Sequence, residues 1–214
     1  TTDKAVQPVS VYGASKYLCE QLVMDGASRG GTDFIVVRFG NVLGSRGSIV
    51  PLFQQQIEKG GPVTVTHPDM RRWFMTIPEA CSLVLKAGGV GENGGLYLLD
   101  MGEPVRIRDL AEQLIRFYGF EPETEIKIEY TGLRPGERLD EKLWAEDEQP
   151  GETEHSRILR VTRKKPVSVD IRSLVDELRP VCRFDPEHPK SYRDCELLRK
   201  ILIEKVIKFE YTVQ

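Results

Sequence analysis

A chain of 214 residues with 29% charged residues and a formal net charge of −3 at pH 7 has room for one or two water-facing domains. It shows no basic footprint for nucleic acid, no run near the roughly 18 apolar residues of a membrane span, and no signal-peptide pattern in its opening residues. Cys19, Cys81, Cys182 and Cys195 are scattered without a C-x-x-C pair, and His67, His155 and His188 are dispersed, so a zinc site or disulfide framework is not expected and a reducing cytoplasm fits.

The first sixteen residues carry two chemical units. Thr2, Asp3 and Lys4 place a hydroxyl, a carboxyl acid and an amine base side by side, at what should be the C-terminal end of a strand. Pro8 keeps the next residues out of the helix. A helix is then expected over 12–28, ended by Gly30 and Gly31, with Leu18, Leu22 and Val23 as core. Tyr12 and Lys16 are four apart on it and share one face. A phenol with an ammonium beside it is a candidate general base for a hydroxyl proton, although this spacing alone more often marks a plain surface pair.

The apolar, β-branched run 33–39 predicts a buried parallel strand. A loop follows with glycines at 40, 44 and 47, where a backbone can approach a ligand. Residues 49–59 predict a helix and 62–66 a strand. Arg71, Arg72, Trp73, Phe74 and Met75 combine cations with aromatics, which suits either nucleotide recognition or a solvated arginine pair beside core rings. Pro78 opens a helix to about residue 87, and five glycines in 88–95 make a surface turn. Strands are expected at 96–99, 105–107 and 125–130, with an amphipathic helix over 107–118 whose Leu110, Leu114 and Phe117 face inward. Gly132-Leu133-Arg134-Pro135-Gly136-Glu137 is a stiff loop presenting Arg134 and Glu137. The acidic stretch 145–154, with Pro150 and Gly151, reads as a solvent-exposed linker. A strand at 158–162 and helices at 168–178 and 192–207 complete the chain.

Taken in order, Thr2-Asp3-Lys4-Ala5-Val6, Tyr12-Gly13-Ala14-Ser15-Lys16, the segment from Arg38 to Ser48, Arg71 to Met75 and the 132–137 loop resemble the extended short-chain dehydrogenase/reductase superfamily. Within it the chain is similar to CapD-like polysaccharide-biosynthesis proteins, the inverting UDP-N-acetylglucosamine 4,6-dehydratases, over roughly residues 1–165. The resemblance implies an α/β fold: the C-terminal part of a doubly wound Rossmann-type parallel sheet with a smaller substrate-binding α/β subdomain. Residues 1–60 would belong to the Rossmann-type domain, 61–145 mainly to the substrate subdomain, and 146–214 to a linker and helical tail.

It further implies Asp3, Lys4, Tyr12 and Lys16 as catalytic residues, and Tyr12, Lys16 and Val42 as contacts of a nicotinamide cofactor, NADP with NAD as the alternative. Thr2, Asn41, Arg72, Arg134 and Glu137 would bind the UDP-sugar, and no metal is called for. Lys4, where related dehydratases carry Glu, favours inversion at C5. No Gly-rich dinucleotide fingerprint is read between a strand and a helix. The chain is therefore expected to be the C-terminal portion of a longer, cytoplasmic and homo-oligomeric protein, inactive alone and with its sheet open to water on one edge and both faces. Whether a preceding part is tethered to the membrane stays open. So do two alternatives, a nucleotide-sugar 4-epimerase and a non-catalytic binding module.

Overall fold

The computed structural model describes residues 1–164, 170–187 and 189–207. After a short 3-10 turn at Asp3–Ala5 come six helices: α1 (Val11–Ala27), α2 (Ile49–Glu58), α3 (Ile77–Val90), α4 (Ile107–Phe117), α5 (Ile171–Cys182) and α6 (Cys195–Lys205). The strands are β1 (Val36–Arg38), β2 (Asn41–Val42), β3 (Val63–Val65), β4 (Arg71–Arg72), β5 (Phe74–Met75), β6 (Leu96–Leu99), β7 (Val105–Arg106), β8 (Ile128–Tyr130), β9 (Glu148–Glu152) and β10 (Ile158–Arg163).

The helices begin where a side chain satisfies free N–H groups. The Ser10 hydroxyl accepts from the Gly13 N–H at 3.1 Å, and Thr76 and Glu79 form a reciprocal capping box at α3. Asp170 and Asp194 do the same for α5 and α6.

The main sheet runs β1-β6-β10-β9, with β1 and β6 parallel and β10 antiparallel to both its neighbours. Side-chain alternation divides β6 between two cores. Leu96 and Leu98 join Val36 and Val161, against which Val23 and Met24 of α1 pack. Tyr97 and Leu99 join Ile158 with Ala80, Leu83 and Ala87 of α3. Both faces are therefore covered by helices, which corrects the expectation of two wet faces. At the β1 edge Thr2 bridges Phe39 in parallel, and the Asp3 N–H donates to the Phe39 carbonyl at 3.0 Å. The opening residues thus lie along the sheet as a strand end should.

A second core joins α2 and α4 to the parallel pair β3–β8, around Phe53, Ile57, Ile107, Ala111 and Ile115. The inward face of α4 is 107-111-115, not the expected one. Phe117, two residues beyond Ile115 and so roughly 200° round the helix, is 83% exposed. Leu22 on α1 is likewise exposed, while Leu18 is buried. Residues 168 and 169 of the expected tail helix lie outside the described residues; α5 and α6 pack on Ala14 and Leu18 of α1, so the tail braces that helix.

The G-x-G-x-x-G spacing does occur once, at Gly89-Val90-Gly91-Glu92-Asn93-Gly94. It lies between the end of α3 and β6, a helix-to-strand junction. A dinucleotide turn needs the reverse order, with N–H groups of the following helix aimed at phosphate.

The stretch 145–154 is not a linker. It contains β9, and its Glu148 is buried. Pro150 is tolerated because β9 is an edge strand. Glu148 is held there by Arg38, which is 1% exposed. The Arg38 Nε and Nη2 donate to Glu20 Oε1 and Oε2 at 3.1 and 2.8 Å. Nη1 and Nη2 donate to Glu148 Oε2 and Oε1 at 2.7 and 3.2 Å, and Nη1 also reaches the Leu143 carbonyl at 3.2 Å. Burial alone would lower the Arg38 guanidinium, but the bonds and charges of Glu20 and Glu148 outweigh it and raise it. Burial would raise the Glu148 carboxyl; the Arg38 bonds and charge, the Ala145 N–H and Arg163 overcome that and hold it below the ordinary value of 4.5.

Removing the shared cation strands two buried carboxylates. Arg38→Met is expected to cost about 3–5 kcal/mol, read as a fall in the urea unfolding midpoint at pH 7. Because Glu148 is depressed when folded, its contribution is full above its ordinary value of 4.5 and is lost as pH falls. The gap between variant and wild type should therefore narrow in acid.

Candidate active site

The Asp3–Ala5 turn and the first turn of α1 are pressed together. A Cβ added to Gly13 would lie 2.4 Å from the Lys4 carbonyl oxygen, so only glycine allows this approach. The turn is capped by Thr2, and Ala5 N–H donates to the Thr2 carbonyl at 3.1 Å. Arg138 locks the next two residues by donating to the carbonyls of Val6 and Gln7. The acid–base pair and the Tyr12 helix are thus one rigid unit.

Asp3 is fully buried. Its Oδ1 accepts from the Thr2 hydroxyl at 2.8 Å and from Lys4 Nζ at 3.0 Å, while its Oδ2 is buried with no hydrogen-bond partner. That oxygen faces Gly40, where an added Cβ would come within 3.1 Å of it and 2.9 Å of Trp73 Cβ. Lys4 Nζ also donates to Asn41 Oδ1 at 3.5 Å and lies 3.8 Å from Glu141 Oε1. Burial raises the Glu141 carboxyl above its ordinary value; Asp3 adds to this, and the Lys4, Arg72 and Arg138 charges pull against it. The Asn41 side-chain amide donates to the Trp73 carbonyl at 3.3 Å, fixing its oxygen toward Lys4.

A cavity of about 490 Å³ opens beside this unit. Thr2, Lys4, Tyr12, Asn41, Val42, Arg72 and Glu137 all line it, together with the glycine-containing loop Ser45 to Ser48. Seven sequence-predicted residues are therefore brought to one hollow by β2, β4, α1 and the 132–137 loop. Tyr12 is 56% exposed, its phenol open to the hollow, and Lys16 Nζ stands 5.4 Å from the Tyr12 ring centroid. Lys16 contributes through that ring and is not part of the wall. Arg134 lines a second cavity of about 270 Å³, which shares Lys4, Arg72 and Glu137 with the first.

Arg72 is less a free cation than expected. Its guanidinium donates to the carbonyls of Arg71, Arg138 and Leu139 at 2.6, 2.9 and 2.9 Å, and it lies 3.6 Å from Glu137. It holds the loop while still facing both cavities. Glu137 accepts from the Arg134 N–H at 3.1 Å and from the Thr66 hydroxyl at 3.4 Å, closing the loop on itself. Arg134 uses only its backbone in this turn, so its side chain points a cation at the second cavity.

The donors fit the nicotinamide end of a dinucleotide: an exposed phenol, an ammonium over its ring, and the Val42 backbone in the wall. Among the described residues no Gly-rich turn joins a strand to a helix, so a pyrophosphate cradle is not found here. Glu141 and Arg138 carry no signal in the sequence. Their partners, Lys4 and Val6, are more than 130 positions away, and no local pattern could reveal them.

Residues 1–163 match the family model described as "Polysaccharide biosynthesis protein". The capsular polysaccharide biosynthesis protein CapD of Staphylococcus aureus is 48% identical over 179 residues, covering 83% of this chain and 30% of that protein. The UDP-glucose 4-epimerase of Rickettsia akari is 38% identical over 146 residues, covering 67% of this chain and 41% of that enzyme. The X-ray structure of Pen from Bacillus thuringiensis superposes with a TM-score of 0.67 and 36% identity, covering 75% of this chain and 50% of Pen. The chain thus spans half or less of the length of each of these proteins. The fold is the Rossmann-type α/β fold of short-chain dehydrogenase/reductase sugar enzymes.

The contact at Gly13 sets a test with a definite sign. Helix propensity alone favours Ala over Gly by about 1 kcal/mol. The clash with the Lys4 carbonyl should win, so Gly13→Ala is expected to destabilise by about 1–3 kcal/mol in thermal unfolding. A stabilised variant would show that the two turns are not in contact.

Proposed function

We propose, because the chain belongs to the polysaccharide biosynthesis protein family, that the whole protein is a nucleotide-sugar 4,6-dehydratase. It takes UDP-N-acetylglucosamine to the 4-keto-6-deoxy sugar with inversion at C5, as a cytoplasmic homo-oligomer using NADP, with NAD as the alternative. The observation that carries this reading is the Asp3–Lys4 pair: a buried carboxyl and an amine 3.0 Å apart, with the amine in the same cavity wall as Tyr12. An oxidation at C4 alone needs only the tyrosine.

When bound, the nicotinamide supplies a reversible hydride acceptor beside C4 and C6. Tyr12 removes the O4 proton, with the Lys16 ammonium over its ring to steady the negative charge. The 4-ketone so formed acidifies the C5 hydrogen, and Lys4, as the neutral amine, takes it. Asp3 gives a proton to the departing C6 hydroxyl, which leaves as water. Its unpartnered Oδ2 supports that role, since a buried polar atom without a bond costs about 1–3 kcal/mol and asks for a functional reason. Thr2 and Asn41 orient this pair and the sugar, and Val42 meets the nicotinamide through its backbone. Arg134 holds the diphosphate, and Arg72 and Glu137 set the loop for the uridine ribose. Residues 1–60 supply the Rossmann-type share of the site, and 61–145 most of the sugar-binding side.

The similarity to a UDP-glucose 4-epimerase favours one second reading, an epimerase on the same scaffold. Product analysis separates the two, because an epimer keeps its C6 hydroxyl. With no pyrophosphate cradle among the described residues, residues 1–214 alone should neither bind the cofactor with micromolar affinity nor turn over.

In the full-length protein Lys4→Ala should lower formation of the 4-keto-6-deoxy sugar by about 10²–10⁴-fold, with circular dichroism unchanged. Near wild-type product formation would remove Lys4 from the mechanism. Arg134→Ala should weaken UDP binding roughly ten- to hundredfold, measured by calorimetry; unchanged affinity would make the loop purely structural.

A further inference from the structure

We propose that Glu141 is a positioning and proton-relay residue for Lys4, connecting it to the second cavity. The inference rests on the dehydratase reading above and assigns a role to a residue outside its acid–base pair.

Lys4 stands in the wall between two hollows. On one side it meets Asn41 and the cavity that holds Tyr12; on the other it meets Glu141, which lines only the second. Asp3 is fully buried and lines neither, so it offers no direct way out to solvent. An amine that takes the C5 proton with inversion does not return that proton to the same face of C5. It needs an acceptor that is not the substrate.

Glu141 has the attributes of one. Its side chain is only 7% exposed, and its Oε1 is 3.8 Å from Lys4 Nζ, within reach of a small side-chain movement. Its backbone is fixed independently, since Trp73 Nε1 donates to the Glu141 carbonyl at 2.9 Å. The charged groups around it are Lys4 and Asp3 on the turn, Arg72 on β4, and Arg138, Arg134 and Glu137 on the loop. Burial raises its carboxyl above the ordinary range, which makes it a better proton acceptor than an exposed glutamate. The relay balances: the Lys4 ammonium gives its proton to the Glu141 carboxylate, leaving neutral amine and carboxylic acid, and Glu141 then releases the proton to water in the second cavity.

The test uses the full-length enzyme and Glu141→Gln, which keeps shape and removes the proton-accepting charge. Oxidation at C4, seen as cofactor reduction in a single turnover, should be retained, while exchange of the C5 hydrogen with deuterated water falls about a hundredfold. Exchange at the wild-type rate would overturn the relay. A second arm does not depend on turnover. In protein labelled with 13C-glutamate, the Glu141 carboxyl signal, assigned by its absence in Glu141→Gln, should titrate above the ordinary glutamate range. It should move higher still in Lys4→Met, where the neighbouring cation is gone. A carboxyl that ignores Lys4→Met would also overturn the proposal. If the wild type makes no deoxy sugar, the dehydratase reading fails by itself, and the carboxyl titration still decides whether Lys4 and Glu141 are coupled.

Discussion

One buried cation ties the architecture together. Arg38 sits at the end of β1 and neutralises a carboxylate from α1 and another from β9. Taking three charges out of water is expensive, and the attraction between them offsets this only where geometry is close and the remaining donors find partners. Here the guanidinium makes two-pronged contacts to both acids and also reaches the Leu143 carbonyl. The arrangement has only one solution, so strand, helix and returning edge strand share one register. The apolar cores above and below β6 hold the layers by area; Arg38 decides how they are aligned.

That alignment is what makes a site. With α1 fixed against β1, its first turn presses on the Asp3–Ala5 turn, and the absent side chain of Gly13 lets the backbones touch. Tyr12 and Lys4 then face one cavity although they belong to different local structures. The loop beyond β8 is drawn in by Arg72 and Arg138, whose donors satisfy main-chain carbonyls on either side of the hollow. These arginines build the walls, and Arg134 turns its cation toward a ligand. The tail helices complete the support by packing on the far side of α1 and pairing Arg172 with Asp25.

Much of this is legible in the chain. Ser10, Thr76, Asp170 and Asp194 mark helix starts because their side chains accept from N–H groups two or three residues on, a purely local event. The β-branched run at 36–38 and the apolar run at 96–99 announce strands, and period-2 alternation puts Leu96 with Leu98 and Tyr97 with Leu99. Tyr12, Lys16 and the Asp3–Lys4 pair stand out by spacing and residue type. The inward face of α4 does not, because its sequence carries two apolar stripes, one through Leu110, Leu114 and Phe117 and one through Ile107, Ala111 and Ile115. The packing partners, Phe53 with Ile57 and Val63, select the second.

What the sequence determined by itself was whatever depends on neighbours a few residues apart: caps, periods, turns, and the adjacency of an acid and an amine. What only the tertiary structure decided were relations across a hundred positions or more. Glu148 has the look of a residue in an acidic linker and is a buried counter-ion, because its partner Arg38 lies 110 positions earlier. Gly89 to Gly94 carries a phosphate-binding spacing without that meaning, because a helix precedes it and a strand comes after it. Glu141 has no local mark, yet it flanks Lys4. Composition treats a charge as if it met water; the fold decides whether it meets another charge instead, and that depends on desolvation and distance, which no window of sequence contains.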